Sequence, residues 1–128
     1  MASGRESDFY LDCKQSSLSA EGLGLIGQLL LELLWDKFPG IHAVGGPTLG
    51  ADPMVSAVAT LSSLEGQAVD AFIIRKEPKG HGTAAWIEGM ANLSDGQPVV
   101  IVEDVITSGG STLRAVRRAR EAGLEVKG

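Results

Sequence analysis

Along the chain, hydrophobic residues fall into short unbroken runs separated by polar, glycine-rich breaks. Ile41–Val44, Ala71–Ile74 and Val99–Val102 show almost no polar alternation. They predict strands covered on both faces, as in a parallel sheet lying between helices. Between the first two runs and before them the period becomes helical. Ser19 to Lys37 places Leu23, Ile26, Leu30, Leu33 and Leu34 on a broad apolar face, with Ser19 as N-cap, Glu21 in the first turn and Pro39-Gly40 as the stop. Gly22, Gly24 and Gly27 weaken its start. A second helix opens with Asp52 as cap and Pro53 at its first position, and turns Val55, Val58, Ala59 and Leu61 inward. A third follows Ser111, with Leu113, Val116 and Ala119 on one side and Arg114, Arg117, Arg118 and Arg120 elsewhere. Ala85–Gly89 predicts a returning strand, Asp95-Gly96 a turn, Gly123 a helix-ending glycine and Leu124–Lys127 a last strand. Residues 1–17, polar except for Phe9-Tyr10-Leu11, predict a turn and a short strand. The order β-α-β-α-β-loop-β-α-β describes one α/β domain, residues 1–128, with a mostly parallel sheet flanked by helices. Sites in such sheets lie beyond the strand C-termini.

Composition narrows the class. The 128 residues suit one domain with a real core, and 44% hydrophobic with 21% charged is ordinary for a globular chain. A net charge of −5 argues against a general nucleic-acid binder. The apolar stretch from Leu23 to Trp35 is too short for a membrane span and carries Gln28 and Glu32. Cys13 is the single cysteine, which fits a reducing, cytoplasmic setting and allows no internal disulfide.

The chemistry concentrates at the end of the third run. Val99–Val102 is followed by Glu103 and Asp104, then Val105 and Ile106, then the small-residue turn Thr107-Ser108-Gly109-Gly110-Ser111, then a helix. Such a turn offers backbone N–H groups, the helix start adds partial positive charge, and the glycines allow close approach, so the unit suits a phosphate group. Hydroxyls on Thr107, Ser108 and Ser111 add donors. Glu103 and Asp104 would repel a phosphate but suit sugar hydroxyls or a magnesium ion. A site that takes phosphate and diol together points to a phosphorylated ribose. No Gly-Lys-Ser/Thr follows the turn, so this is not a P-loop.

Two further loops leave strand ends. Gly45-Gly46-Pro47-Thr48-Leu49-Gly50 is a second anion-binding candidate. His42, before it, is read as a strand residue and not a ligand. Arg75-Lys76-Glu77-Pro78-Lys79-Gly80-His81-Gly82-Thr83 groups three cations and a histidine at a strand end of an acidic chain, and such a loop can engage a polyanion.

The segment Glu103–Thr112 resembles the phosphoribosyl-pyrophosphate motif of the type I phosphoribosyltransferases. The loop Arg-Lys-Glu-x-Lys-x-His-Gly at 75–82 is similar to that of orotate phosphoribosyltransferases and not of the purine enzymes. Ser3-Gly4-Arg5-x-Ser7-x-x-Tyr10-x-Asp12 resembles that family's N-terminal segment, and residues 45–53 resemble its pyrophosphate loop. The resemblance runs in register over nearly the whole chain, with residues 1–18 as the remnant of an N-terminal hood and 19–128 as the core.

This resemblance implies transfer of ribose 5-phosphate from phosphoribosyl pyrophosphate to orotate, with Mg2+ bound and pyrophosphate released. Glu103 and Asp104 would hold the ribose hydroxyls, and Asp104 would reach the metal at most through water. The turn Thr107 to Ser111, approached through Val105 and Ile106, would wrap the 5-phosphate, with Thr107 near the base. Arg75, Lys76, Lys79 and His81 would engage pyrophosphate, Lys79 and His81 stabilising it as it leaves. Phe9 and Tyr10 match positions that flank the base. The loop 75–83 would be shared across the subunits of a homodimer. Departures go with the likeness: Ala2 stands where a lysine is common, and Leu49 where some members have lysine. The family also continues past Val126 into strands that include an Asp-Arg gripping the orotate carboxylate. The resemblance therefore implies an incomplete set of C-terminal strands, and leaves as an alternative a non-catalytic binding module or an inactive truncated member.

Overall fold

The computed structural model describes residues 12–78 and 86–128. Five strands form one sheet: β1 (Ala43–Pro47), β2 (Asp70–Ile74), β3 (Ile87–Glu88), β4 (Pro98–Ile101) and β5 (Glu125–Val126). Their order is β3-β2-β1-β4-β5. The pairs β1–β2, β1–β4 and β4–β5 are parallel, while β3 returns antiparallel to β2. Helices α1 (Lys14–Ser17), α2 (Ala20–Lys37), α3 (Asp52–Leu64) and α4 (Gly110–Glu121) complete the domain. This is the mostly parallel, helix-flanked α/β sheet that the hydrophobic runs predict.

The unbroken runs are explained by the two layers. Val99 and Ile101 join Ala43, Phe72, Ile74 and Ile87 beneath Ala115 and Ala119 of α4. Val100 and Val44 point the other way, into a cluster with Leu31, Leu34, Val55 and Val58 of α2 and α3. Each fully buried Val, Ile or Phe contributes roughly 1.5–3 kcal/mol, so both faces of the sheet drive folding. No described helix is long and apolar enough to cross a membrane.

Several local expectations are corrected. Lys14–Ser17 is a helical turn and not part of a strand, leading to the N-cap Ser19, whose hydroxyl accepts from the Gly22 N–H at 3.0 Å. On α2 the core takes Gly27, Leu31 and Leu34, while Leu33 is 50% exposed. Gly27 is a packing requirement, since a Cβ there would lie 2.8 Å from Ala57 Cβ on α3. The predicted strand at 41–44 begins at Ala43 and runs on through Gly45, Gly46 and Pro47, so half of the expected glycine loop is strand. Those glycines are there because the neighbours leave no room: a Cβ on Gly45 would meet the Phe72 ring at 2.3 Å. His42 is exposed and precedes the strand, at the end opposite the loops. Asp52 is the first residue of α3 and not its cap; Ala51 holds that place, with no side-chain bond. On α4, Leu113 is 66% exposed and the inward residues are Ala115 and Ala119.

One buried polar side chain joins α3 to β2. Ser62 is fully buried, donates to the Ala59 carbonyl at 2.9 Å, and accepts from the Val69 N–H at 2.9 Å. Ser62→Ala leaves that N–H without its partner and should cost about 1–3 kcal/mol in urea unfolding. A change under about 0.5 kcal/mol would show that the bond has no net worth.

Candidate active site

Three loops leave the same edge of the sheet, at the C-terminal ends of β1, β2 and β4. They are tied together by main-chain bonds that prolong the ladders: Thr48 N–H donates to the Ile74 carbonyl at 3.0 Å and Val102 N–H to the Gly45 carbonyl at 2.8 Å. The contact between the first and third loops is closer still. A Cβ on Gly50 would fall 2.1 Å from Asp104 Oδ1, so the bare glycine lets the β1 loop lie against the carboxylate. Within the β1 loop, the Thr48 hydroxyl donates to Asp52 Oδ2 at 2.8 Å, and the Thr48–Leu49 peptide is cis.

The start of α4 differs from the other long helices. Ser19 caps α2 and Glu21 lies in its first turn, and Asp52 lies in the first turn of α3. Helix α4 has neither a side-chain cap nor an acid in its first turn. Its cap position is Gly109, at φ +75°, a left-handed conformation that glycine adopts without the penalty of a Cβ. The partial positive charge of the helix end is thus left open toward the turn, where Ile106, Thr107 and Ser108 are exposed and Gly109, Gly110 and Ser111 half-buried.

The two acids are treated differently. Glu103 Oε1 accepts from the Ser111 hydroxyl at 2.5 Å, and its Oε2 accepts from the Thr112 hydroxyl. Both hydroxyls are thereby turned toward the strand end, where they hold the first turn of α4 against β4. The Asp104 carboxylate accepts no hydrogen bond from the described residues; only its main-chain carbonyl is engaged, by Cys13 Sγ at 3.8 Å. Of the pair, Asp104 is the carboxylate with no lone pair engaged by the described residues.

At the end of β2, Arg75 Nη1 pairs with Glu88 Oε1 at 2.9 Å and its Nε donates to the Glu77 carbonyl at 3.1 Å. The guanidinium therefore braces the loop stem across to β3. Lys76 is exposed beside it. Lys79, His81, Phe9 and Tyr10 lie outside the described residues. Sequence reading placed Thr48 and Gly50 in an anion-binding candidate loop and Asp52 at the start of the next helix, and missed the Thr48–Asp52 bond, the Gly50–Asp104 contact and Arg114, whose Nη1 would stand 3.4 Å from a Cβ on Gly110. The (i, i+4) spacing of Arg114 from Gly110 was the available signal for the last; nothing local marks the others. Among the described residues no three His, Cys, Asp or Glu side chains cluster as a metal site.

A parallel sheet with an open-ended helix after a strand ending in two acids, flanked by a tight glycine loop and a basic loop, defines the type I phosphoribosyltransferase fold. No family model matches the chain. Individual proteins do. The orotate phosphoribosyltransferase of Sorangium cellulosum is 52% identical over 128 residues, covering all of this chain and 66% of the relative, and that of Aquifex aeolicus is 45% identical, covering all of this chain and 68% of its own. The solved orotate phosphoribosyltransferase of Mycobacterium tuberculosis, crystallised with Fe(III) dicitrate, superposes with a TM-score of 0.79 at 40% identity, over all of this chain and 69% of that one. The chain belongs to the orotate phosphoribosyltransferase family. It spans about two thirds of the length of these relatives, 66% in the case of the Sorangium protein.

Proposed function

We propose that this chain transfers ribose 5-phosphate from phosphoribosyl pyrophosphate to orotate, forming orotidine monophosphate and pyrophosphate. The observation that carries this reading is the uncapped, acid-free start of α4, separated from Asp104 only by the turn 105–109. A phosphate seated on the turn would place its ribose against that acid. Thr107 to Gly110 hold the phosphate, with Val105 and Ile106 leading into the turn, while Ser111 and Glu103 keep the helix end in place. Asp104 takes the ribose hydroxyls and faces the positive charge that grows on the ring as the C1–pyrophosphate bond breaks. The β1 loop, packed on Asp104 through Gly50, borders the same space on the pyrophosphate side. Phe9 and Tyr10 flank the base.

Mg2+ fits this site as an ion carried by the substrate. It commonly keeps several waters and takes one or two carboxylates plus phosphate oxygens. Asp104, whose carboxylate accepts no hydrogen bond from the described residues, would hold it through water. The metal supplies charge neutralisation for the pyrophosphate. The chain's own cations supply the rest: Lys76, Lys79 and His81 gather around the departing group, with Arg75 holding the stem that presents them. We infer that the enzyme works as a homodimer in which loop 75–83 serves the neighbouring subunit's site.

Calorimetric titration with phosphoribosyl pyrophosphate and magnesium, followed by orotate, tests the reading. Binding followed by orotate turnover is the expected result. Binding without turnover would support a non-catalytic nucleotide-binding module, and no binding would overturn the assignment of the α4 turn. Lys79→Ala should lower kcat about a hundredfold with little change in phosphoribosyl pyrophosphate affinity, because a leaving group gathers its charge only in the transition state. Equal losses in kcat and affinity would count against that role.

A further inference from the structure

Arg118 lies two turns along α4 from the phosphate turn and takes no part in the chemistry assigned above. Its surroundings single it out from Arg117 and Arg120 of the same helix, which are exposed. The Arg118 guanidinium carbon sits 3.6 Å from the centroid of the Trp86 ring. Its Nη1 also donates to the main-chain carbonyl of Arg75. Arg75 is the residue by which the chain leaves β2, and Trp86 the residue by which it returns to β3. These two residues already face each other, since Arg75 N–H donates to the Trp86 carbonyl at 2.8 Å, next to the Ile74–Ile87 pair of the ladder. One side chain thus grips both arms of the loop stem at their last joined position. Arg75 and Glu88 close the far side of the stem.

We propose that Arg118 is a positioning residue that fastens the stem of the β2–β3 loop to α4, setting the direction in which the loop's cations meet the pyrophosphate. The phosphate turn and this clamp belong to one rigid helix, about 12 Å apart along its axis at 1.5 Å per residue. The stem of a loop that serves the neighbouring subunit's site is therefore fixed to the helix that holds this subunit's own 5-phosphate. A planar guanidinium is required, because it stacks on the indole face while donating in its own plane, which an ammonium does not do. The inference rests on the proposed phosphoribosyl transfer for its consequence, and on the described contacts alone for the clamp itself.

The test has a ligand-free arm and a binding arm. In limited trypsin digestion of the unliganded protein, Arg118→Met and Arg118→Lys should speed cleavage after Lys76 about tenfold, the order of a desolvated cation–π contact, with cleavage after Lys37 unchanged. Trp86→Leu should do the same and Trp86→Phe less, so a variant that folds poorly does not decide the outcome. Cleavage after Lys76 within about twofold of the parent in both Arg118→Lys and Trp86→Leu overturns the clamp. In the binding arm, Arg118→Met should weaken magnesium pyrophosphate about fivefold to tenfold while ribose 5-phosphate affinity stays within about twofold. Equal losses for both ligands would mean a merely structural role. A parent protein that binds neither ligand counts against the phosphoribosyl site, and the digestion arm still decides the clamp.

Discussion

Asp104→Asn should reduce kcat/KM for phosphoribosyl pyrophosphate by about a thousandfold while leaving inorganic phosphate binding within about twofold. The size follows from what the carboxylate lacks and where it stands. Glu103 already spends both oxygens on Ser111 and Thr112, so its substitution would act first on the helix start. Asp104 has no such partner among the described residues and lies against Gly50 at the mouth of the β1 loop. Hydrogen bonds from two ribose hydroxyls to a charged acceptor are worth about 1.5–3 kcal/mol each, and an amide keeps only part of that. The amide also removes the negative charge that the proposed mechanism sets against the sugar ring as it becomes cationic. Phosphate binding, assigned by the proposal to the α4 turn, should be spared. Steady-state kinetics with calorimetry of inorganic phosphate checks both halves. A loss under about tenfold in kcat/KM, or a parallel loss of phosphate affinity, would sink the assignment of Asp104 to the diol.

Gly46→Ala should lower stability by about 3 kcal/mol and the melting temperature by about 10 °C. A Cβ at Gly46 would meet the Val102 carbonyl oxygen at 2.2 Å and Ala51 Cβ at 2.4 Å. Neither is the flexible end of a side chain. Val102 is held by its bond to the Gly45 carbonyl, and Ala51 is fully buried at the start of α3. The strain must be taken up by moving β1 away from β4, which also moves the β1 loop away from Asp104. Gly24→Ala is the matched control: that glycine is exposed within α2 with nothing within 4 Å of the added carbon, and the change should stabilise by about 0.5–1 kcal/mol. Thermal melts that showed Gly46→Ala within about 2 °C of the parent would mean that the strands separate cheaply.

The elements were legible because their signals are local. Val99–Val102 could only be a doubly covered strand, and Ser19, Glu21 and Pro39 bound a helix whatever it packs against. The strand–turn–helix unit proposed to take the phosphate was legible for the same reason: strand, acids, small residues and helix are consecutive, so their order in the chain is their order in space. What failed were inferences about facing. Leu33 and Leu113 were placed inward by periodicity, yet half or more of each is exposed, because the direction of a helix's apolar side depends on where the sheet lies beneath it. The glycines of 45–46 were read as loop, since glycine is rare inside strands. Here the Phe72 ring and the Val102 carbonyl occupy the space that side chains would fill.

The amino-acid sequence by itself thus determined the α/β class, the helices and buried strands, and the strand–turn–helix unit proposed to take the phosphate, all set by residues adjacent in the chain. Only the tertiary structure decided how that unit's acids divide their work, that Gly50 lies on Asp104, and that Arg118 reaches the Arg75 carbonyl 43 positions away. Those outcomes depend on which strands lie side by side. The order β3-β2-β1-β4-β5 is a balance of packing over the whole sheet, and no short stretch of the chain contains it.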